Sequence, residues 1–345
     1  MKVIYTEAHR KRASKTELYG GELVRPFECP ERMDYILGRF RETEFGKIIA
    51  PHEVQSDALA KIHDKGYLSF LKSAWNDWKS EGFKGEAIVT VWPSRSMPST
   101  HIPDFIEGKI GYYCLAAETS ISNGTAEAAW ASLDVALSGA EHVLAGDGAA
   151  FSLCRPPGHH ASRDQYGGYC FINNAAVAAQ HMRDSGLDKV AVLDIDFHHG
   201  NGTQAIFYSR SDVLFLSLHG DPMAAFPHFL GHSDEIGDGE GEGFNFNYPM
   251  PVGTSFSKWS TALDSALQHI SNFGADAVVV SLGVDTFEKD PISFFKLASN
   301  DFITMGERIS MLDMPTLFVM EGGYAVEEIG INTVNVLMGF DGTKA

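Results

Sequence analysis

The chain has 345 residues, enough for one large α/β domain with a substantial buried core or for two smaller domains. Hydrophobic residues make up 44% and charged residues 21%, which is typical of a globular protein. The 45 acidic and 27 basic side chains give a formal net charge of −18, which repels nucleic-acid phosphates and anionic membranes. We therefore expect neither partner. The same negative charge would suit a cationic substrate. An acidic surface that only keeps the protein in solution would explain the charge equally well.

The four cysteines are widely spaced and form no CxxC pair, and no basic-then-apolar leader opens the sequence. They are Cys29, Cys114, Cys154 and Cys170. This usage predicts reduced thiols in a cytoplasmic protein. No apolar run reaches the roughly 18 residues that a membrane-spanning helix needs.

Apolar stretches of strand length alternate with amphipathic stretches of helical length. The apolar runs are continuous in Val, Ile, Leu and Phe, as in strands that helices cover on both faces. The pattern predicts an α/β fold, a parallel β-sheet flanked by helices, and without repeats or linkers it predicts one domain over 1–345. In chain order we predict strand 2–6, helices 30–40, 67–78 and 125–144, strand 149–154, helix 173–184, strands 189–195 and 212–218, helix 257–272, strand 276–282, helix 301–312 and strand 315–320.

One long segment, residues 80–108, interrupts this alternation. It contains several glycines and prolines and has little periodicity. Loops of this length inside a domain are usually either disordered or functional. Because Trp92, Met97 and Phe105 need burial, we interpret the segment as a packed lid or a subunit contact.

An acidic and histidine-rich motif, Leu-Asp-Ile-Asp-Phe-His-His-Gly at 193–200, begins at the end of a predicted strand. Ligands bind beyond the carboxyl ends of strands in open parallel sheets. Asp194, Asp196 and His198 project to one side of an extended chain, and two of them can reach one metal ion. Such ligands suit zinc or iron, with Asp285 after strand 276–282 as the third ligand. Taken alone, each of these aspartates is as readily a helix cap or a loop carboxylate as a metal ligand.

A tandem histidine pair, His159 and His160, ends the motif Arg-Pro-Pro-Gly-His-His after strand 149–154. Imidazoles placed there can perform acid–base catalysis near neutral pH. One can activate a water and the other can protonate a leaving amine. An isolated pair is equally often a surface feature or a metal-storage site.

A Gly-Gly turn in Glu-Gly-Gly-Tyr, residues 321–324, follows the last predicted strand. Glycines let the backbone approach a ligand closely, and the hydroxyl of Tyr324 can donate to an oxyanion. Taken alone, this motif is weak evidence for an active site.

Together these motifs resemble a known family. Arg-Pro-Pro-Gly-His-His, Asp-Ile-Asp-Phe-His-His-Gly-Asn-Gly, Gly-Val-Asp-Thr and Glu-Gly-Gly-Tyr occur here in the order typical of the arginase/deacetylase superfamily. Within it, the chain is similar to the histone deacetylase-like amidohydrolases and, among these, to the acetylpolyamine amidohydrolases. The resemblance extends from Glu31 and Arg32 to the last motif.

The resemblance implies two metal sites. Asp196, His198 and Asp285 would bind Zn²⁺, with Fe²⁺ as the alternative, and would leave one position open. A structural potassium ion would lie beside that metal, and its implied ligands are Asp194, Asp196, His198, Ser217 and Leu218. Hard oxygen donors, partly main-chain carbonyls, fit such an ion.

The resemblance also assigns the acid–base groups. His160 would be the general base and also the general acid, with His159 as its electrostatic partner. Asp194 would orient His159, and Asn201 would orient His160. Some family members carry Asp at the position of Asn201, and a neutral amide should leave His160 less basic than a carboxylate would. Tyr324 would hold the oxyanion.

For the substrate channel, the resemblance implies the lining residues Gly168, Tyr169, Phe226 and Ile292. Glu17, in an early polar loop, and Glu107, at the end of the insertion, would bind distal ammonium groups at the entrance. The alternative interpretation is that both are ordinary glutamates on the solvated surface. The insertion implies a homodimer whose channel mouth it narrows.

These inferences predict a zinc-dependent amidohydrolase that deacetylates small acetylated polyamines to acetate and free amine. Acetylputrescine, acetylcadaverine and acetylspermidine are the expected substrates. A deacetylase of acetyl-lysine proteins is the main alternative, and a non-catalytic acetyl-group binding protein is the second. An arginase-type enzyme would need two manganese ions and additional carboxylates around Asp194 and Asp285.

Overall fold

Buried apolar strands form the centre of the molecule. The computed structural model describes residues 1–343. In chain order the strands are β1 (Lys2–Ile4), β2 (Glu17–Tyr19), β3 (Glu22–Val24), β4 (Lys47–Ile49), β5 (Ala149–Ser152), β6 (Val190–Asp194), β7 (Val213–Gly220), β8 (Asn245–Met250), β9 (Ala277–Leu282) and β10 (Thr316–Met320). Eight strands form one sheet in the order β4-β1-β5-β10-β9-β6-β7-β8, and every neighbouring pair in it is parallel. β2 and β3 form a separate antiparallel hairpin.

Helices cover both faces of the sheet. They are α1 (Glu31–Thr43), α2 (Ala58–Ile62), α3 (Lys65–Ser80), α4 (Ile106–Tyr113), α5 (Thr125–Leu144), α6 (Asn174–Asp184), α7 (Asn201–Phe207), α8 (Phe256–Phe273), α9 (Asp301–Ser310) and α10 (Ile329–Asp341). One buried apolar cluster packs α1, α8, α9 and α10 against the sheet, and a second packs the remaining helices against the other face. The predicted fold class is confirmed.

Each predicted strand and helix is present, with bounds that differ by a few residues. The sequence did not predict the edge strands β4 and β8, the β2–β3 hairpin, or helices α2, α4, α7 and α10. β8 contains Asn245 and Asn247, whose side chains point inward, so its pattern does not look like an apolar strand. α10 is mostly buried, and a helix that is buried on most sides lacks the polar face that a periodicity analysis detects.

The insertion is partly helical. α3 continues to Ser80 and α4 begins at Ile106, so the irregular part is 81–105 rather than 80–108. Trp92 is anchored, because its indole N–H donates to the carbonyl of Cys114 at 3.0 Å. Met97 and Phe105 are 48% and 49% exposed. Within residues 1–343 of a single chain, Met97 and Phe105 therefore lack the burial that the sequence led us to expect.

The carboxyl ends of the central strands meet at one edge of the sheet. The register pairs Asp194, the last residue of β6, with Ser217 of β7 on one side and Ser281 of β9 on the other. β10 then ends at Met320, directly before the Glu-Gly-Gly-Tyr turn. The four motifs therefore converge. Among residues 1–343, no helix is long and apolar enough to cross a membrane.

Candidate active site

Three predicted metal ligands lie together beyond the ends of β6 and β9. The ligand atoms of Asp196, His198 and Asp285 all lie within 4.8 Å of one another, and the three residues are buried. Nδ1 of His198 is 3.0 Å from Oδ2 of Asp285 and 3.3 Å from Oδ1 of Asp196. The main chain holds both carboxylates, since the N–H of His198 donates to Asp196 and the N–H of Phe197 donates to Asp285. The three side chains are thus preorganised around one point.

This group fits a divalent metal ion. Burial and the neighbouring Asp196 raise the pKa of Asp285 to about 8, because two buried carboxylates repel each other without a cation between them. A Cβ atom at Gly322 would lie 2.5 Å from Oδ2 of Asp196 and 2.7 Å from Oδ2 of Asp285, so only glycine leaves room beside the carboxylates. Two carboxylates and one imidazole are a donor set suited to zinc or ferrous iron.

The tandem histidines have different hydrogen-bond partners. Nδ1 of His159 is 2.9 Å from Oδ2 of Asp194, and Nδ1 of His160 is 2.7 Å from Oδ1 of Asn201, as the resemblance implied. Burial disfavours a charged His159, but Asp194 and Asp196 outweigh burial and raise its pKa to about 10. Burial, together with His159 and His198, holds the pKa of His160 well below its usual value. The pKa values of the two imidazoles are therefore shifted in opposite directions.

The backbone before these histidines is held by a buried carboxylate. Oε2 of Glu321 accepts from the N–H groups of Gly158 and His159 at 2.7 and 3.2 Å, and Ser281 donates to Oε1. Burial raises the pKa of Glu321 to about 7. The first residue of the Glu-Gly-Gly-Tyr motif thus connects β10 to the histidine turn, a role that the sequence did not reveal.

Tyr324 lies at the base of the site under a buried guanidinium. The guanidinium carbon of Arg32 is 4.9 Å from the centre of the Tyr324 ring. Arg32 also donates to the carbonyls of Gly323 and Glu321 at 2.7 and 2.6 Å. Burial raises the pKa of Tyr324 well above its usual value, so its hydroxyl keeps its proton and can donate it in a hydrogen bond.

A cavity of about 350 Å³ leads from the surface to His160, His198 and Tyr324. Five residues that the sequence placed in the channel line it: Glu17, Gly168, Tyr169, Phe226 and Ile292. The sequence missed other lining groups, namely Leu18, Tyr19, Gly20, Glu118, Phe197, Ala224, Ala225, His228 and Phe294. Most of these lie on the hairpin or on irregular loops, where sequence patterns carry little information.

Two aromatic side chains border the inner part of the cavity. The ring of Tyr169 lies 5.5 Å from that of Tyr324, and the ring of Phe226 meets His160 edge to face at 5.0 Å. Gly168 has a left-handed backbone with φ of 54°, and a Cβ atom there would overlap the His160 ring. Glycine at this position therefore keeps the channel open beside His160.

The cavity mouth is acidic. Glu17 begins strand β2 instead of lying in a loop, and its carboxylate accepts from the hydroxyl of Tyr169 at 2.7 Å and the N–H of Phe27 at 3.0 Å. Burial raises the pKa of Glu17 to about 7. Glu118 accepts from the N–H of Gly168 at 2.8 Å. Among the described residues that line the cavity, there are two glutamates and no lysine or arginine.

Glu107 does not reach this cavity within one chain. It lies in α4, where Thr90 donates to its carboxylate at 2.9 Å, and it is absent from the described lining residues. Its role at the entrance stays a prediction that depends on a second copy of the chain.

The residues expected to hold potassium lie next to the metal cluster. Asp194 and Ser217 are paired across β6 and β7, and Leu218 follows. Oδ1 of Asp194 accepts from the N–H of Asp196 at 3.1 Å, and Ser217 contacts Nδ1 of His219 through its hydroxyl. The structure thus brings the side chains of both expected sites to the same edge of the sheet.

Comparisons with known proteins, by family, by sequence and by structure, all identify deacetylase-type relatives. The histone deacetylase domain family matches residues 26–339. An acetylpolyamine amidohydrolase of Mycoplana ramosa is 59% identical over 342 residues, which cover 99% of this chain and 100% of the relative. Acetylpolyamine amidohydrolase 2 of Pseudomonas aeruginosa is 50% identical over 99% of both chains. The crystal structure of an acetylpolyamine aminohydrolase from Burkholderia pseudomallei superimposes with a TM-score of 0.94 at 35% identity, covering 100% of both chains.

Proposed function

Because the chain belongs to the histone deacetylase family, we propose that it is a metal-dependent amidohydrolase that deacetylates small acetylated polyamines. Acetylputrescine, acetylcadaverine and acetylspermidine would yield acetate and the free amine. The observation that carries the proposal is a cavity lined by two glutamates and, next to the metal-ligand cluster, by His160, His198 and Tyr324. The full-length relatives named for acetylpolyamines support the substrate class.

Asp196, His198 and Asp285 would hold the metal, with Zn²⁺ as the proposed ion and Fe²⁺ as the alternative. When bound, such an ion supplies Lewis-acid polarisation of a carbonyl and lowers the pKa of a coordinated water. Asp194, Asp196, His198, Ser217 and Leu218 would hold the structural K⁺. Its charge would offset the carboxylates buried at this edge of the sheet.

His160 is the proposed general base. The amide oxygen of Asn201 can only accept, so Nδ1 of His160 carries a proton and Nε2 keeps a lone pair. The low pKa of His160 keeps it neutral at pH 7 and ready to accept a proton from the attacking water. His160 then returns that proton to the departing amine. His159, protonated against Asp194, supplies positive charge next to the reacting atoms.

Tyr324 stabilises the charge that develops on the carbonyl oxygen. Its hydroxyl is protonated and lies in a buried site, where a preorganised donor is worth more than in water. The backbone around it is anchored before substrate arrives, so little reorganisation opposes the reaction. No covalent bond between enzyme and acyl group is needed.

The mouth selects the substrate by charge. A polyamine is a flexible cation whose methylene chain can lie between Tyr169 and Phe226 while a distal ammonium reaches Glu17 or Glu118. An acetyl-lysine protein lacks that ammonium at the same distance and would bring a peptide backbone to the entrance. Protein deacetylation is therefore the weaker of the two activities.

We further propose that residues 1–345 form one catalytic domain that assembles as a cytoplasmic homodimer. Leu23 of the hairpin is 63% exposed, and Met97 and Phe105 of the insertion are about half exposed, so a second copy would bury apolar surface. That copy would also bring Glu107 near the neighbouring entrance. Sedimentation at micromolar concentration should give a dimer that dissociates when 81–105 is deleted, whereas a monomeric wild type would contradict this assembly.

The substrate assignment is tested by comparing kcat/KM for acetylcadaverine and acetylputrescine with that for an acetyl-lysine peptide. We expect both polyamines to be turned over more efficiently than the peptide. Equal or better peptide turnover would refute the polyamine assignment and leave the amidohydrolase mechanism intact. No turnover of any acetylamide by metal-loaded protein would refute the mechanism itself.

A further inference from the structure

A buried carboxylate that the mechanism does not use lies between two parts of the active site. Asp290 follows the metal ligand Asp285 by five positions and precedes the cavity-lining Ile292 by two. It is only 6% exposed. In the sequence it looks like any loop aspartate. In the structure it faces the turn that carries Tyr324.

The carboxylate of Asp290 accepts from three main-chain N–H groups. Oδ2 accepts from Tyr324 at 2.7 Å and from Ala325 at 3.2 Å, and Oδ1 accepts from Ile292 at 3.1 Å. Charge-assisted hydrogen bonds of this kind are stronger than neutral ones. One side chain thus joins the loop after β9 to the turn after β10.

The Tyr324 turn is consequently held on both sides by opposite charges. The guanidinium of Arg32 binds the carbonyls of Glu321 and Gly323, and the carboxylate of Asp290 binds the N–H groups of Tyr324 and Ala325. Gly323 has φ of 130°, a left-handed conformation open to glycine, which has no Cβ and restrains the backbone less than any other residue. The position of the tyrosine therefore depends on these outside anchors.

We propose that Asp290 is a positioning residue for the deacetylation reaction, acting through the backbone of Tyr324 to hold its hydroxyl where the carbonyl oxygen becomes charged. The inference rests on the proposed function, because it needs Tyr324 to act on the substrate. Asp290 is not among the described residues that line the cavity. Substitution of Asp290 should displace the Tyr324 hydroxyl without removing it. A misplacement of about 1 Å at a reacting group can cost roughly 100-fold in rate.

The test is a double-mutant cycle in the full-length, metal-loaded enzyme with acetylcadaverine. Asp290→Asn keeps the size of the side chain but turns an N–H donor or a weaker acceptor toward the turn. We expect kcat to fall about 10-fold to 100-fold with little change in KM, because one oxyanion donor is typically worth 100-fold to 1000-fold. In a Tyr324→Phe background, Asp290→Asn should lower kcat by less than about 2-fold, because coupled residues are non-additive.

Asp64→Asn is the matched control. Asp64 also accepts from two main-chain N–H groups, those of Gly66 and Tyr67 at the start of α3, and it is not among the cavity-lining residues. It should leave kcat unchanged. If Asp290→Asn does not fold, Asp290→Glu carries the test, since it keeps the charge and moves it by one methylene, and the same loss confined to kcat is expected.

The outcomes separate this inference from the proposed function. A wild-type enzyme without deacetylase activity would refute the proposed function. An active wild type with normal kcat in the folded Asp290 variant would refute the positioning role alone. An equal loss of kcat in the wild-type and Tyr324→Phe backgrounds would also refute it, because Asp290 would then act independently of the tyrosine.

Discussion

The base and the mouth of the cavity are built in different ways. At the base, Asp196, His198 and Asp285 are buried and held by one another and by main-chain N–H groups. At the mouth, Leu18 and Tyr19 come from the β2–β3 hairpin, and Ala224 and His228 come from an irregular loop. This difference teaches that the reacting groups lie at the ends of the central strands, whereas the groups that meet the rest of the substrate are carried by the hairpin and by loops. Changes at the base should therefore affect all substrates alike, and changes at the mouth should discriminate among them.

The largest expected effect comes from removing a metal ligand at the base. Asp285→Ala should abolish turnover of every acetylated substrate and lower metal content, while the circular dichroism spectrum stays like that of the wild type. Chelation of the wild type should have the same effect, and about one zinc or ferrous ion per chain should restore activity. Full activity in thoroughly metal-free protein would contradict the assigned metal chemistry.

The next effect is the loss of the oxyanion donor. Tyr324→Phe should retain metal and fold while kcat falls by roughly 100-fold or more, because one preorganised hydrogen bond to the charged oxygen is lost. His160→Ala should be comparably damaging, since it removes the proposed general base. Steady-state kinetics on acetylcadaverine would measure both, and a wild-type kcat in either variant would show that its assigned role is wrong.

The base was largely predictable from the sequence, whereas the channel and its mouth were predicted only in part, through the family resemblance. Alternation along an extended chain predicted that Asp194, Asp196 and His198 would lie together, and the parallel sheet predicted that Asp285 would join the group at the same edge. These inferences depend on short-range geometry. Glu118 and Phe294 reach the cavity only through the path of loops, which no periodicity encodes.

The anchoring carboxylates were missed for a related reason. Both act through main-chain N–H groups that are distant in sequence: Glu321 accepts from Gly158, 163 positions away, and Asp290 accepts from Tyr324, 34 positions away. Nothing in the residue type distinguishes such a carboxylate from one on the surface. Met97 stays 48% exposed within one chain, so the sequence indicated an apolar insertion, and its coverage by a second copy stays a proposal.

A smaller effect should appear at the mouth as a pH dependence. Burial raises the pKa of Glu17 to about 7, so its carboxyl is mainly neutral below that pH and mainly charged above it. The distal ammonium of acetylputrescine stays protonated over this range. KM for acetylputrescine should therefore fall a few-fold, roughly 2-fold to 5-fold, between pH 6 and pH 8, since an added ion pair that water still partly screens is worth up to about 1 kcal/mol.

Glu17→Gln is the matched control for this pH effect. It keeps a side-chain oxygen that can accept from Tyr169 and removes the titrating charge. The difference in KM between pH 6 and pH 8 should shrink in this variant. An undiminished pH dependence would assign the effect to another group.

The separation of chemistry at the base from charge selection at the mouth is tested most directly by one pair of substrates. Acetylcadaverine and N-pentylacetamide have the same acetamide and chain length, but only the first carries a distal ammonium. We would measure the ratio of their kcat/KM values in the wild type, in Tyr324→Phe and in the double variant Glu17→Gln, Glu118→Gln. The wild type should prefer the charged substrate by about 10-fold or more, as expected for a charge-assisted contact. Tyr324→Phe should lower both values and leave the ratio unchanged, whereas the glutamate double variant should bring the ratio close to one. A wild type without preference for the charged substrate, or a ratio that Tyr324→Phe alters as much as the glutamate substitutions do, would contradict the account.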